Sequence, residues 1–188
     1  RSVSRGLGDV YKRQILPFLP VAKRGKSCSE ALLLNILEVI LYRLKTGCQW
    51  RELPINSYIS GDYSYKSVFY HFNRWSKLDV WQTIWLNLLR KHREKLNLHT
   101  IQLDGTHTRT HGAVEKTAYQ GRKGGKTSNL LCLCDEKGVL LAFSAVLAGN
   151  HHDLFDIVNQ FEQMLAQLTA IGIPVSYTHL TLPTTYGV

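Results

Sequence analysis

Acidic residues are scarce: 14 Asp and Glu stand against 23 Lys and Arg in 188 residues, a formal charge of +9. That imbalance makes a polyanion the first partner to consider. No stretch stays apolar for the ~20 residues a membrane span requires, which excludes a transmembrane helix and argues against a membrane partner. Cysteine is sparse too. Cys28, Cys48, Cys132 and Cys134 show neither CxxC metal spacing nor a dense disulfide framework, a usage that suits a reducing cytoplasm. No internal repeat is visible. What is present, 44% hydrophobic and 20% charged residues, is the balance of a folded chain of one ordinary or two small domains.

The two ends carry no structural pattern. Residues 1–14 (RSVSRGLGDVYKRQ) lack helical periodicity and strand alternation, and residues 175–188 (VSYTHLTLPTTYGV) are rich in Thr and uncharged. Both read as translated adapter sequence, non-native tails to be left out of fold reasoning. Residues 1–14 hold four Lys/Arg and one Asp, so the remainder keeps a charge of +6.

Residues 15–97 read as a helical domain. Ser27-Cys-Ser-Glu30 has capping-box spacing, followed by Leu33, Ile36, Leu37, Ile40, Leu41 and Leu44 at helical spacing, with Gly47 as the stop. A second helix is expected over 64–76, with Tyr65, Val68, Phe69 and Phe72 on its apolar face. Opposite them would lie Ser64, Lys66, Ser67, His71 and Arg74, suited to phosphates and base edges. Asp79 is placed to cap a third helix, which ends in the basic run 90–95.

The pattern changes near Leu98. Residues 100–104 suggest a short strand, 105–127 a loop or weak hairpin, and 128–134 with 139–147 a hairpin about Asp135-Glu-Lys-Gly138. Asp153 is expected to cap a helix through Leu168. Ile171-Gly-Ile-Pro174 looks like the approach to a further strand. The fold class is therefore α+β.

Asp104 is the leading chemical candidate. A carboxylate at a strand end is held rigidly, as a hard divalent cation requires. Pairs of such ions serve phosphoryl transfer on polynucleotides. Next to it, Arg109, Lys116, Arg122, Lys123 and Lys126 face only Glu115 between 105 and 127. Glycines among these cations permit close backbone approach to phosphates. Asp104 beside a basic loop favours a nucleic-acid backbone as ligand. His107, His152 and Asp153 are supporting candidates. A zinc site at His107 and His111 lacks partners at the expected spacing. Cys132 and Cys134 alternate on a strand and would bury on one face.

The core resembles the DDE transposases of bacterial insertion sequences, which carry an RNase H-like catalytic domain. The resemblance rests on ordered blocks: Ile40-Leu-Tyr-Arg-Leu-Lys-Thr-Gly-Cys-Gln-Trp-Arg-Glu-Leu-Pro54, Tyr65-Lys-Ser-Val-Phe-Tyr-His-Phe-Asn-Arg-Trp75, Leu103-Asp-Gly-Thr-His-Thr-Arg-Thr-His111, Tyr119-Gln-Gly-Arg-Lys-Gly-Gly-Lys-Thr127 and Gly149-Asn-His-His-Asp153. It implies that Asp104 is the first catalytic and metal-binding carboxylate and that Mg²⁺ is the cofactor. DNA, at the element ends, is the implied partner. Residues 98–174 would then be a partial RNase H-like domain. The second Asp is expected on a fourth strand, near Ile173, where the chain turns into its tail. The expectation is a truncated enzyme that retains DNA affinity through Lys66, Arg74, Arg109, Arg122, Lys123 and Lys126, lacks strand transfer, and tends to self-associate through an open sheet edge. Two rival readings are a non-enzymatic helical DNA-binding module and a metal-dependent nuclease that pairs Asp104 with Asp153.

Overall fold

A computed structural model describes residues 11, 14–20, 28–110 and 115–174. Both expected tails lie outside the described residues apart from Tyr11 and Gln14, as do Ser27 and His111. The chain divides into two compact units, residues 1–88 and 89–188.

The first unit is helical. Helix α1 spans Glu30–Thr46, α2 Tyr65–Lys77 and α3 Val80–Lys91, with the boundary between units falling inside α3. The α1 start corrects the capping-box expectation. Ser29 is the N-cap, its hydroxyl accepting from Leu32 N at 3.2 Å, and Glu30 is the first helical residue. Gly47, at φ 71°, ends the helix as expected, its N–H donating to Arg43 O at 2.8 Å. A left-handed residue here satisfies a terminal carbonyl, and glycine adopts it without strain. Ser64 caps α2 by accepting from Lys66 N. Asp79 precedes α3 and uses its carbonyl, which accepts from Thr83 N at 3.0 Å.

Leu33, Ile36, Leu37, Val39 and Ile40 of α1 are buried in a core with Val68 and Trp75 of α2, Val80 and Ile84 of α3, and Ile15 and Leu19. Trp75 is fully buried, its ring 5.6 Å from Trp81 and 5.6 Å from His71. Full burial of one such ring is worth about 3 kcal/mol or more, which makes Trp75 an anchor of this unit.

The second unit is a mixed antiparallel sheet and helix, in accord with the α+β expectation. Strand β1 spans Ile101–Arg109, β2 Ala118–Gln120, β3 Gly125–Asp135, β4 Leu140–Phe143 and β5 Leu147–Ala148; helix α4 spans Ile157–Ala170. Every strand pairs antiparallel with β3. β1 runs along one side of it, from Ile101↔Asp135 to Arg109↔Thr127. The other side carries β2, β5 and β4 in turn, opposite 125–127, 128–129 and 132–134. Among the described residues, the outer edge of β1 has no strand beside it.

The β3–β4 hairpin about 135–138 is present as expected. Three other expectations change. The second arm, expected over 139–147, is broken, since β4 ends at Phe143 and β5 begins at Leu147. Residues 105–109 extend β1 rather than opening a loop, because each pairs with β3. Asp153 does not cap α4: the helix begins at Ile157, with Asp156 at its N-cap in a left-handed conformation.

Alternate residues of β3 are buried: Thr127, Asn129, Leu131, Leu133 and Asp135. Opposite residues of an antiparallel pair share a face, so Leu103, Gly105 and His107 of β1 lie with Leu133, Leu131 and Asn129. α4 packs on β4, burying Met164, Leu165 and Leu168. It also supplies polar partners: Gln167 pairs with the Phe143 backbone, accepting from N at 3.2 Å and donating to O at 2.6 Å. Its C-terminus closes with Ile173 N donating to Leu168 O and Gly172 N to Thr169 O. Residues 171–173 close the helix end, and the strand expected after Pro174 lies outside the described residues. Arg90 and Arg93 donate to the carbonyls of Ala170 and Gly172 at 2.7 and 2.8 Å.

Candidate functional site

Asp104 stands near the middle of β1 and is exposed. Its register partner is Cys132, and alternation places Gln102, Thr106, Cys134 and Lys126 on the same face. One carboxylate oxygen accepts the N–H of Gly105 at 2.9 Å. Cys132 and Cys134 are half-buried on this face, while the fully buried side chains of β3 lie on the other. Burial, then the charge of Cys134 and then that of Asp104 raise the Cys132 thiol pKa. Burial, Asp135 and then Asp104 raise that of Cys134.

Gly105, the next residue, faces the opposite way, and Asp153 fills the space beyond it. A Cβ at position 105 would lie 2.6 Å from Asp153 Cγ. Asn129 Nδ2 donates to Asp153 Oδ1 at 3.0 Å and to His151 O at 3.4 Å, fixing the 151–153 segment against the sheet. His107 shares that face, opposite Asn129, with its Nδ1 buried and without a hydrogen-bond partner. His152 is exposed, and its Nδ1 accepts from Leu154 N at 3.1 Å. Asp104 is thus on one face of β1, while His107 and Asp153 are on the other. His107 and Asp153 reach the sheet from the side that Asp104 does not face.

Mg²⁺ needs six oxygens in near-octahedral geometry and keeps few waters only where several hard ligands converge. Asp104 offers one such group, and its register partner is a soft thiol. Among the described residues no three His, Cys, Asp or Glu side chains gather into a metal-holding group. These residues do not by themselves fit a Mg²⁺ site.

The cations of 105–127 collect at the other end of the sheet. The β2–β3 hairpin turns through Gly121–Lys123 with Gly124 at φ 60°. Arg122, Lys123 and Lys126 are exposed. The Arg109 guanidinium donates to the Lys123 carbonyl, tying the end of β1 to this turn. Lys126 shares the face of Asp104 and lies six positions along β3 from Cys132, about 20 Å at the strand rise.

In the first unit, Lys66 is exposed and Arg74 half-buried. The outward row of α2 is Lys66, Tyr70, Asn73 and Lys77, all exposed. His71 was expected on that face but packs between Tyr70 and Trp75, at 5.7 and 5.6 Å. Burial and then Arg74 lower its pKa. The sequence reading also missed Trp50. Its ring meets Phe69 at 5.2 Å and Phe72 at 5.1 Å, with Arg43 above it at 5.0 Å. The signal was available: a Trp-Arg pair just after a helix-ending glycine, in a turn too short to bury it alone.

No helix among the described residues is long and apolar enough to cross a membrane. Neither the curated proteins nor the solved structures include a match to the chain. Residues 12–85, which cover α1 and α2 and enter α3, match the model of a family described as "Putative transposase of IS4/5 family", so this part of the chain is similar to an insertion-sequence transposase.

Proposed function

We propose that the chain is part of an insertion-sequence transposase of the DDE type, with residues 15–97 serving DNA binding and residues 98–174 beginning an RNase H-like catalytic domain. The observation that carries this reading is the family match over residues 12–85. Two features of the second unit support it. β1, β3 and β4 form an antiparallel meander followed by a helix, the order expected of the first half of such a domain. Asp104 lies on the first of these strands, where the first carboxylate is expected, and the exposed cations at the β2–β3 turn provide phosphate contacts.

In this reading Asp104 is one ligand of a Mg²⁺ site whose other ligands are not among the described residues. No step of strand cleavage is therefore assigned to this geometry. DNA is the partner, held by Lys66, Arg122, Lys123 and Lys126, with Arg109 bracing the turn and Arg74 flanking the α2 row.

The test is end recognition. The purified chain is titrated into duplexes drawn from the genomic DNA flanking its reading frame and into scrambled duplexes. Tighter binding to the flanking DNA, weakened by salt, is expected. Absence of DNA binding at low salt would overturn the reading. Binding without sequence preference would reduce it to a generic DNA-binding module.

A further inference from the structure

An open hollow of about 460 Å³ lies within the first unit, lined by Arg43, Gln49, Trp50, Arg51, Tyr65 and Phe69. Three pieces of chain build it: the last turn of α1, the 49–51 turn that Gly47 directs, and the first half of α2. The volume is within the usual range for a small-molecule site, ~300–1,000 Å³. Among the described residues, its lining contains two guanidinium groups and no carboxylate.

The rings here are not used up by the core. Phe69 remains 44% exposed, although it touches Trp50. The Arg43 guanidinium lies over the Trp50 ring at 5.0 Å, and its Nε is buried without a hydrogen-bond partner. A flat cation held against an aromatic ring, beside a second ring in water, suits a ligand that is both planar and anionic. Duplex DNA keeps its base faces stacked inside the helix, so it has no base to place in the hollow and leaves Phe69 and the arginines beside it unused. An unpaired nucleotide engages both.

We propose that this hollow binds an unstacked nucleotide of single-stranded DNA, the base lying on Phe69 and the Arg43 guanidinium, and the phosphate on Arg51. The proposal rests on the first unit facing DNA, and the test keeps the two ideas apart. A labelled short oligothymidylate and a blunt duplex of the same length are titrated with the full chain, and anisotropy is read at several salt concentrations. Phe69→Ala should weaken oligothymidylate binding about tenfold, the scale of one lost base–aromatic stack. Arg51→Gln should weaken it and make the salt dependence shallower by about 0.7 in log–log slope, the value for one single-strand phosphate contact. Duplex affinity should stay within about twofold in both variants, as for surface substitutions away from a contact. Arg51 is exposed on a turn, so its variant remains informative if Phe69→Ala disturbs the fold. Oligothymidylate binding unchanged in Arg51→Gln, or duplex binding weakened in parallel, would overturn the proposal. Duplex binding with no oligothymidylate binding would overturn it alone. Failure of both ligands to bind would remove the DNA-binding reading as well.

Discussion

The Asp153 carboxylate occupies the space that a side chain at Gly105 would take, on the face of β1 opposite Asp104. A side chain at 105 would therefore have to displace the Asp153 carboxylate, which Asn129 holds. Gly105→Ala would put a methyl 2.6 Å from Asp153 Cγ. We expect a loss of about 1–3 kcal/mol, the usual cost of overpacking. Most of that loss should vanish in an Asp153→Ala background, because the two sites are in direct contact. Denaturant unfolding followed by far-UV circular dichroism measures both. An equal cost in the two backgrounds would show that Asp153 is not the obstacle.

Asp104 contributes to the raised pKa values of Cys132 and Cys134, after burial and other charges. Removing its charge in Asp104→Asn should lower both thiol pKa values, leaving the burial contribution in place. Alkylation of these cysteines at mildly alkaline pH should then be faster than in the wild type, with the fold intact. Mass spectrometry of the modified peptides reads the rate site by site. Unchanged rates at both cysteines would mean that the Asp104 carboxylate does not face β3 as described.

Asp135 closes the β3–β4 turn. Burial disfavours its charge, yet Val139, Asn97 and Lys137 N–H groups donate to it, and the net result is a pKa below the ordinary 3.8. A depressed carboxylate pKa means that its stabilisation is fully present above the unfolded value and is lost as pH falls through the folded one. The second unit should therefore lose stability on acidification below about pH 4, the region of an unfolded Asp. Asp135→Asn should be less stable at neutral pH and flatter in its acid response. Urea midpoints measured from neutral to acid pH decide the matter. Parallel curves for the two proteins would contradict the assignment.

The exposed cations at the β2–β3 turn should act through phosphates alone. Lys126→Ala and Arg122→Ala should each weaken duplex binding similarly for all sequences and reduce the salt slope by about 1. Arg109→Ala should differ, since its guanidinium holds the Lys123 carbonyl. Its loss should also loosen the turn, detectable as faster amide exchange at Gly124, whose N–H donates to Gly121 O. A variant at Lys126 with unaltered salt slope would place the DNA elsewhere.

Local signals were legible in the sequence where one segment decides its own conformation. Gly47 ended α1, and Asp135 to Gly138 made a hairpin turn. Misreadings arose where distant residues decide. Thr106 to Arg109 has the composition of a loop and becomes strand because Leu130, Asn129, Ser128 and Thr127 pair with it. Asp153 resembles a helix cap, yet Asn129, 24 residues earlier, claims its carboxylate. A glycine inside a strand and an asparagine in an apolar run were the available hints of a close approach. The transposase resemblance was readable from the 40–54 and 65–75 blocks, and the family match falls on that same region. No comparable match reaches the second unit.

All four tryptophans, at 50, 75, 81 and 85, belong to the helical unit. Tryptophan emission is thus a private reporter of that half. Fluorescence excited where tyrosine does not absorb will follow the melting of the helices and pass silently over the sheet, so an apparently single transition seen by that probe says nothing about cooperativity between the two halves.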